Sequence, residues 1–599
     1  MSAVRHPAER SGNILLAAGA ATAGLGVAMG FGGEWYGGLL FEAPVLGVGG
    51  VMAAAGAYLR VAAPLVMQIN GALNELHLGR FDEARGLLDA ADERVGRRLF
   101  GFFGTPVLLQ RGELAVHDGR PEEALALFER AAAEPLGFQA RWHKRALRAE
   151  AYASAALVRA GAGDVVGARE AIDKARAPSA RPPARARATV AELVLLARTG
   201  DHDGLRRSLD EHRSLLFEAT TPRERALVRA MDRMLDQAAR SPYREPAAKS
   251  RDTAAGVTGW ISDVVPDAAP YVADRDLPTG TAGELRFDAP TAAGKALVES
   301  DRAKGARTAR RPTERRALLL WAALVAMFLG IWWVLQPPAA THTRAPAPAQ
   351  VDGGGHEVAL FVGLYFVVVA LLVAFRVWKN NGTREAARAA ALALAEGHYD
   401  RVRELLRPVL DSRVAAQLIP KAEAWLLMSQ LEEREASFPK ALAACDQALG
   451  ALGSRAARAA SYDLLLPAVH AQRAFVLAVL GRTDESNAEV SQLLTDFPSY
   501  AHKGVVELRL KLAQLARSGD RAEAARVGRE RSPYLQLDLR EEALLDVVDA
   551  LALPPDDAER ARVRHRVESD RRLGAWLTEV APSLTQELRH GAAPRTVTA

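Results

Sequence analysis

Apolar and polar residues follow two different rules along this chain. Four stretches, at about 13–31, 39–59, 317–336 and 358–378, carry almost nothing but apolar side chains. Elsewhere apolar residues return every three or four positions among charged ones, which is the period of an amphipathic helix. Ala, Leu and Arg recur in those segments, while β-branched and aromatic runs are scarce. Straight side chains and Ala lose little freedom on entering a helix. The pattern predicts an all-α protein. At 599 residues the chain exceeds one ordinary core, so several units are expected.

The apolar runs read as two membrane hairpins. Ala317 to Leu335 (ALLLWAALVAMFLGIWWVL) is uncharged and close to the roughly 20 residues that a bilayer crossing requires. Val358 to Val377 is interrupted only by Arg376, and Trp332, Trp333 and Trp378 sit at segment ends, where amphipathic rings favour the interface. Arg307, Arg310, Arg311, Arg315 and Arg316 precede this pair; Arg376, Lys379, Arg384 and Arg388 follow it. Between the two runs the only basic residues are Arg344 and the histidines His342 and His356. Positive residues are retained on the cytoplasmic side, so both flanks are expected there. At the amino end Arg5 and Arg10 precede the first run and Arg60 closes the second. Apolar material continues past the first run without a convincing cleavage site, which favours a retained hairpin over a signal peptide. Four transmembrane helices would thus meet the lipid bilayer, with both termini cytoplasmic. Gly19, Ala23, Gly26 and Gly30 have the small-xxx-small spacing of close helix approach, an option for homo-oligomerisation. Glu42 is expected at interface depth rather than in a proton relay.

The amphipathic segments carry a recurring motif. Gly79-Arg-Phe81-Asp-Glu-Ala84 with Leu88 and Ala91 is followed by Gly119-Arg-Pro-Glu-Glu-Ala124 with Phe128, Ala131 and Pro135. Gly163 with Ala168, Ile172 and Ala175 comes next, then a degenerate version at Gly200 with Leu205 and Leu209. Later come Gly397-His-Tyr399 with Leu406, Phe438 to Leu449, Gly481 with Leu493, Leu494 and Pro498, and Gly519 with Ala524. Gly supplies a turn, small residues admit close helix packing and bulky ones fill the groove between helices. This resembles the tetratricopeptide repeat (TPR), in the form found in bacterial membrane-anchored proteins. The resemblance implies helix–turn–helix pairs that stack into an α-solenoid and hold protein partners. The steps between the first four glycines are 40, 44 and 37, longer than the family's period of about 34, so a divergent, TPR-like array is expected.

The irregular spacings return further along. Gly79 is answered by Gly397 and Gly163 by Gly481, each at an offset of 318. Ala124 is answered by Ala441 at an offset of 317, and the ARTGD ending at Asp201 by the ARSGD ending at Asp520 at an offset of 319. The second apolar run of each pair obeys nearly the same offset. The sequence therefore predicts an internal duplication of a membrane hairpin followed by a TPR-like solenoid. The expected domains are hairpins at 1–67 and 313–380, repeat domains at 68–245 and 381–585, a flexible linker at 246–312 and a disordered tail at 586–599. Inside the linker, the apolar Gly259-Trp-Ile-Ser-Asp-Val-Val-Pro is expected to collapse locally, with docking on a repeat groove as the alternative.

Charge and chemistry narrow the function. The net charge of +5 and pI near 9.3 come with acidic and basic residues interspersed, so no nucleic-acid footprint is expected. The single cysteine, Cys445, excludes an intrachain disulfide and a cysteine metal cluster. There is no phosphate loop, HExxH helix or GxSxG elbow, and the histidines are scattered singly. The expectation is a protein that is not an enzyme, with no catalytic, cofactor-binding or metal-binding residues. Some TPR domains grip carboxylate-ended peptides through basic residues on first helices, and the resemblance makes Lys144, Arg145 and Arg148 candidate peptide-binding residues. The expected role is a scaffold for protein–protein interactions at the cytoplasmic face of a bacterial inner membrane, in envelope biogenesis or secretion. The alternative is a subunit of a membrane transporter or channel complex.

Overall fold

The computed structural model describes residues 62–95, 103–134, 141–240, 255–272, 287–300, 382–412, 418–453, 461–498, 500–531 and 537–590, with a few isolated positions besides. Apart from isolated positions, the four apolar runs at about 13–31, 39–59, 317–336 and 358–378 lie outside the described residues. Among the described residues no helix is long and apolar enough to cross a membrane.

Every regular element among the described residues is helical. The first array comprises α1 (62–77), α2 (Phe81–Val95), α3 (Gly104–His117), α4 (Pro121–Ala133), α5 (Arg141–Ala162), α6 (Val165–Ala175), α7 (Pro182–Arg198), α8 (His202–Glu211), α9 (Arg213–Ala219) and α10 (Pro222–Arg240). Next come α11 (Ala255–Val264), a 3-10 turn at Pro266–Tyr271 and α12 (292–300). The second array comprises α13 (382–395), α14 (Tyr399–Leu410), α15 (Leu418–Arg434), α16 (Phe438–Ala451), α17 (Leu465–Val479), α18 (Thr483–Asp496), α19 (Lys503–Ser518), α20 (Arg521–Arg531), α21 (Leu539–Ala550), α22 (Ala558–Ser569), α23 (Arg571–Val580) and α24 (Pro582–His590). Helices pack in consecutive pairs, such as α3 on α4, α5 on α6, α15 on α16 and α17 on α18, and each pair packs on the next. Close packing is written into small residues. A Cβ added at Gly112 on α3 would stand 2.3 Å from the buried Phe128 ring on α4.

Each first helix ends in a left-handed residue that reverses the chain into the second. Gly79, Gly119, Gly163 and Gly200 have φ of +72°, +70°, +82° and +72°, and Gly397, Gly481 and Gly519 have +79°, +77° and +77°. The eighth position is Ala436, at φ +59°, the counterpart of Gly119 at an offset of 317. A left-handed non-glycine residue costs roughly 1–2 kcal/mol, so the turn is kept here against local preference. The two arrays therefore share a complete ladder of four turns, one rung of which lacks its glycine.

The correspondence continues into the segment expected to be a flexible linker. Trp260-Ile-Ser-Asp-Val-Val-Pro266 is matched, at an offset of 316, by Trp576-Leu-Thr-Glu-Val-Ala-Pro582, and both stretches form a helix ended by proline. Arg198 donates to the Asp263 and Val264 carbonyls at the end of α11, at 3.2 and 3.0 Å. Its counterpart Arg517 donates to the Glu579 carbonyl near the end of α23, at 3.1 Å. Ile261, Val264 and Val265 are buried in the core of the first array; Trp576, Leu577 and Val580 are buried in that of the second. Residues 255–272, which the sequence reading places in the linker, close the first array as residues 571–590 close the second. Further on, Thr291 donates through its backbone N–H and its hydroxyl to Asp484, and Phe287 packs on the core of the second array. The connection thus reaches from one array to the other.

The arrays also touch each other at two corresponding places. The turn that ends α1 meets α19: Leu78 lies 2.9 Å from where a Cβ on Gly504 would stand, and the His77 and His502 rings stack at 5.7 Å. The turn that ends α13 meets α7 and α9. Glu396 faces Arg185 at 3.9 Å, Ser214 donates to the Ala395 carbonyl at 2.8 Å, and Ala395 packs with Ala186, Leu215 and Ala219. Position 396 corresponds to 78 and position 504 to 185, so each contact is the counterpart of the other. Reciprocal contacts of this kind define a two-fold arrangement, built here within one chain.

Candidate functional site

The first helices of successive pairs stand side by side, α3 with α5 and α5 with α7, and a charged network crosses that row. Arg187 on α7 bonds Glu113 on α3, Ser154 on α5 and Glu224 on α10. In the second array Arg509 on α19 bonds Glu433 on α15, Gln472 on α17 and Glu541 on α21. Gln472 corresponds to Ser154 and Glu541 to Glu224, while the arginine and the remaining glutamate are shifted by about one turn. The Arg509 guanidinium also lies 3.8 Å from the Phe475 ring centroid, a cation–π arrangement. The ends of both networks are fixed by backbone chemistry. Glu224 and Thr221 form reciprocal side-chain–backbone bonds at the start of α10, and Asp538 with Glu541 forms a capping box at the start of α21.

A second cluster bolts the arrays together. Glu218 on α9 accepts from Arg434 at the end of α15 and, at 3.2 Å, from Arg540 on α21. Arg540 also donates to the Tyr399 hydroxyl at 2.6 Å, and the Arg572 guanidinium lies 4.7 Å from the same ring. Arg225 bonds Glu542 and the Leu537 carbonyl, and Arg229 bonds Glu542 as well. Arg225 and Glu542 occupy corresponding positions, so this pair straddles the local two-fold. Burial pushes the Glu218 carboxyl up even though both arginines pull it down. Removing two charges from water can cost more than their attraction returns, so the fixed geometry of these pairs does not by itself count as added stability. Guanidinium–carboxylate pairs of fixed geometry offer recognition and rigidity.

The residues singled out from sequence are placed differently. Arg148 on α5 donates to the Glu134 carbonyl at 2.8 Å, so it ties α4 to α5. Arg145 is exposed on the same helix, and the Lys144 side chain lies outside the described residues. Cys445 is buried on α16 with its Sγ 3.1 Å from the Ser429 hydroxyl, and burial pushes its thiol up to about 12. His342 and His356 lie outside the described residues. Among the described residues no group of three or more His, Cys, Asp or Glu side chains could hold a metal ion. The networks around Arg187, Arg509 and Glu218 were not read from sequence. Their signal is faint but present: Pro222-Arg-Glu-Arg-Ala-Leu and Leu539-Arg-Glu-Glu-Ala-Leu repeat an Arg-Glu pair at an offset of 317.

Compared with protein-family models, with curated proteins and with solved structures, this chain finds no match.

Proposed function

We propose that this chain is a membrane-anchored, TPR-like scaffold that holds other proteins at the cytoplasmic face of a bacterial inner membrane. In this reading a hairpin-plus-solenoid unit was duplicated in tandem, and the two arrays close on each other as an internal dimer. The observation that carries it is the ladder of left-handed turn residues, four per array, joining helix pairs that each pack on the next. One helix pair cannot bury its apolar face alone, and stacked pairs present extended surfaces to partners. The apolar runs at about 317–336 and 358–378, flanked by arginines, support the anchor and its orientation.

Topology and partnership are tested together in native membranes. In a Cys445→Ser background, a cysteine at Arg344 should react with a membrane-impermeant maleimide from outside, and one at the exposed Val166 should not. A photo-crosslinking residue at Val166 in the full-length protein should capture defined partner bands. The reverse labelling pattern sinks the proposed orientation. Correct labelling without any crosslinked partner, accompanied by ion flux in proteoliposomes, would favour a transporter subunit instead.

A further inference from the structure

The two-fold correspondence sets one satisfied site beside one unsatisfied copy of itself. In the satisfied copy the Glu218 carboxylate sits between Arg434 and Arg540, and Arg540 also reaches the Tyr399 hydroxyl. The corresponding positions in the other copy are His117 for Arg434, Arg223 for Arg540, Phe81 for Tyr399 and Leu535 for Glu218. Phe81 and His117 are in ring contact at 4.6 Å, so that part of the constellation is assembled. Both acceptors are gone: phenylalanine has no hydroxyl, and Leu535 is buried in the apolar core of the second array.

Arg223 is left without the bonds its counterpart makes. Its Nε and Nη1 are buried and have no hydrogen-bond partner, while its guanidinium lies 4.3 Å from the Trp260 ring centroid. Glu113, Glu224 and Asp263 lie within electrostatic reach but form no hydrogen bond with it, and burial lowers it to about 10. His117 is lowered to about 3, by burial first and then by Arg223. A buried donor without an acceptor is costly, and Arg223 as a whole remains partly exposed.

We propose that Arg223 and His117 form a receiving site for a glutamate or aspartate carboxylate on a peptide partner, with Trp260 packing beside it. Leu535 fills the place that Glu218 takes in the other copy, so the incoming carboxylate meets Arg223 from the side on which that residue remains partly exposed. Peptide rather than free acid is assigned because the native occupant of the equivalent site is a glutamate on a helix, with apolar Leu215, Leu216 and Phe217 before it. The site is distinct from the basic face of α5. The choice of a peptide carrier rests on the scaffold reading above, whereas the anion site itself does not.

The test uses full-length protein in detergent micelles at constant ionic strength. The probes are a blocked peptide with the sequence of residues 213–220, its variant with Gln at the position of Glu218, glutarate, and inorganic phosphate. Calorimetry should show saturable binding of the glutamate peptide, at least tenfold weaker for the Gln peptide and at least tenfold weaker for Arg223→Gln protein. Phe81→Tyr restores the missing hydroxyl, so it should raise Tm and weaken peptide binding, which keeps the test sound should Arg223→Gln fold poorly. Equal binding of both peptides, binding of phosphate alone, or binding unchanged by both variants overturns the proposal. Glutarate binding without peptide binding overturns the peptide carrier. If native membranes yield crosslinked partners while no carboxylate probe binds, this site fails and the scaffold reading stands. If the peptide binds and no partner is captured, the scaffold reading fails and the site stands.

Discussion

Replacing Glu218 by Ala removes the one carboxylate that Arg434 and Arg540 share at the junction of the arrays. Both arginine side chains are largely buried there, at 13% and 8% exposure, and Glu218 is at 5%. Breaking a buried pair from one side leaves uncompensated charge and costs about 3–5 kcal/mol. Arg540 keeps Tyr399 as an acceptor and Asp538 at 3.8 Å, and Arg434 keeps the Leu394 carbonyl, which puts the expectation at the lower end, about 3 kcal/mol. For a cooperative unit of 150–250 residues that lowers Tm by about 6–12 °C. The complementary experiment is the triple variant Glu218→Leu, Arg434→Met, Arg540→Met. Burial already works against the Glu218 charge, and an apolar set of similar volume in place of a buried ion triad is often neutral or better. Thermal unfolding of the full-length protein, followed by circular dichroism with hydrogen exchange at α9 and α21, reads both. A Glu218→Ala protein within about 1 kcal/mol of the parent, or a triple variant as unstable as the single one, would refute the bolt.

Four further outcomes follow from the fold. Ala436→Gly relieves a left-handed alanine and should stabilise by about 0.5–1 kcal/mol, while Gly119→Ala at the matching turn should destabilise by about 1–2 kcal/mol, both read from urea midpoints. Burial lowers His77 from 6.5 to about 4, with His502 adding to the effect; the unfolded chain then takes up the proton first, so stability present above pH 6.5 is lost as pH falls towards 4. A Tm series over that range should show the loss, with a shallower slope in His77→Gln. Trp576 is fully buried against Phe475 at 6.4 Å, and Trp576→Ala should cost about 3–5 kcal/mol in chemical denaturation. Cys445 should resist a thiol reagent at pH 8 until the protein unfolds, because the thiolate is the reactive form; rapid labelling of native protein would contradict its placement.

What could be read from the sequence was local pattern and its recurrence at one offset. Glycine turns followed by a small residue and then a bulky one mark each reversal, because backbone freedom and volume act within a few residues. Ala436 escaped that reading: the turn survives there without the residue that announces it, held by the helices on either side. The helix around Trp260 was hidden by its neighbours, since Pro, Gly and Asp around it give the composition of a linker. Only its match to Trp576 betrays it. The meeting of the arrays had no local trace. His77 and His502, like Glu218 and Arg540, come from opposite halves of the chain, and nothing in either segment alone encodes the other. The proposed membrane hairpins rest on apolar runs and flanking charge alone.

The reciprocal closure has a consequence for synthesis. The ribosome completes α1 roughly 20–90 s before its partner α19, at about 5–20 residues per second. During that interval the face around Leu78 has no partner in its own chain, and the face around Leu215 and Ala219 waits roughly 9–35 s for the end of α13 at the same rate. A neighbouring nascent chain of the same protein offers the same faces in the same state. The short helix α12 and the contact of Thr291 with Asp484 raise the local concentration of the correct second half against that competitor. Cutting this tether should therefore turn single chains into exchanged pairs when expression is high, and leave them single when it is low.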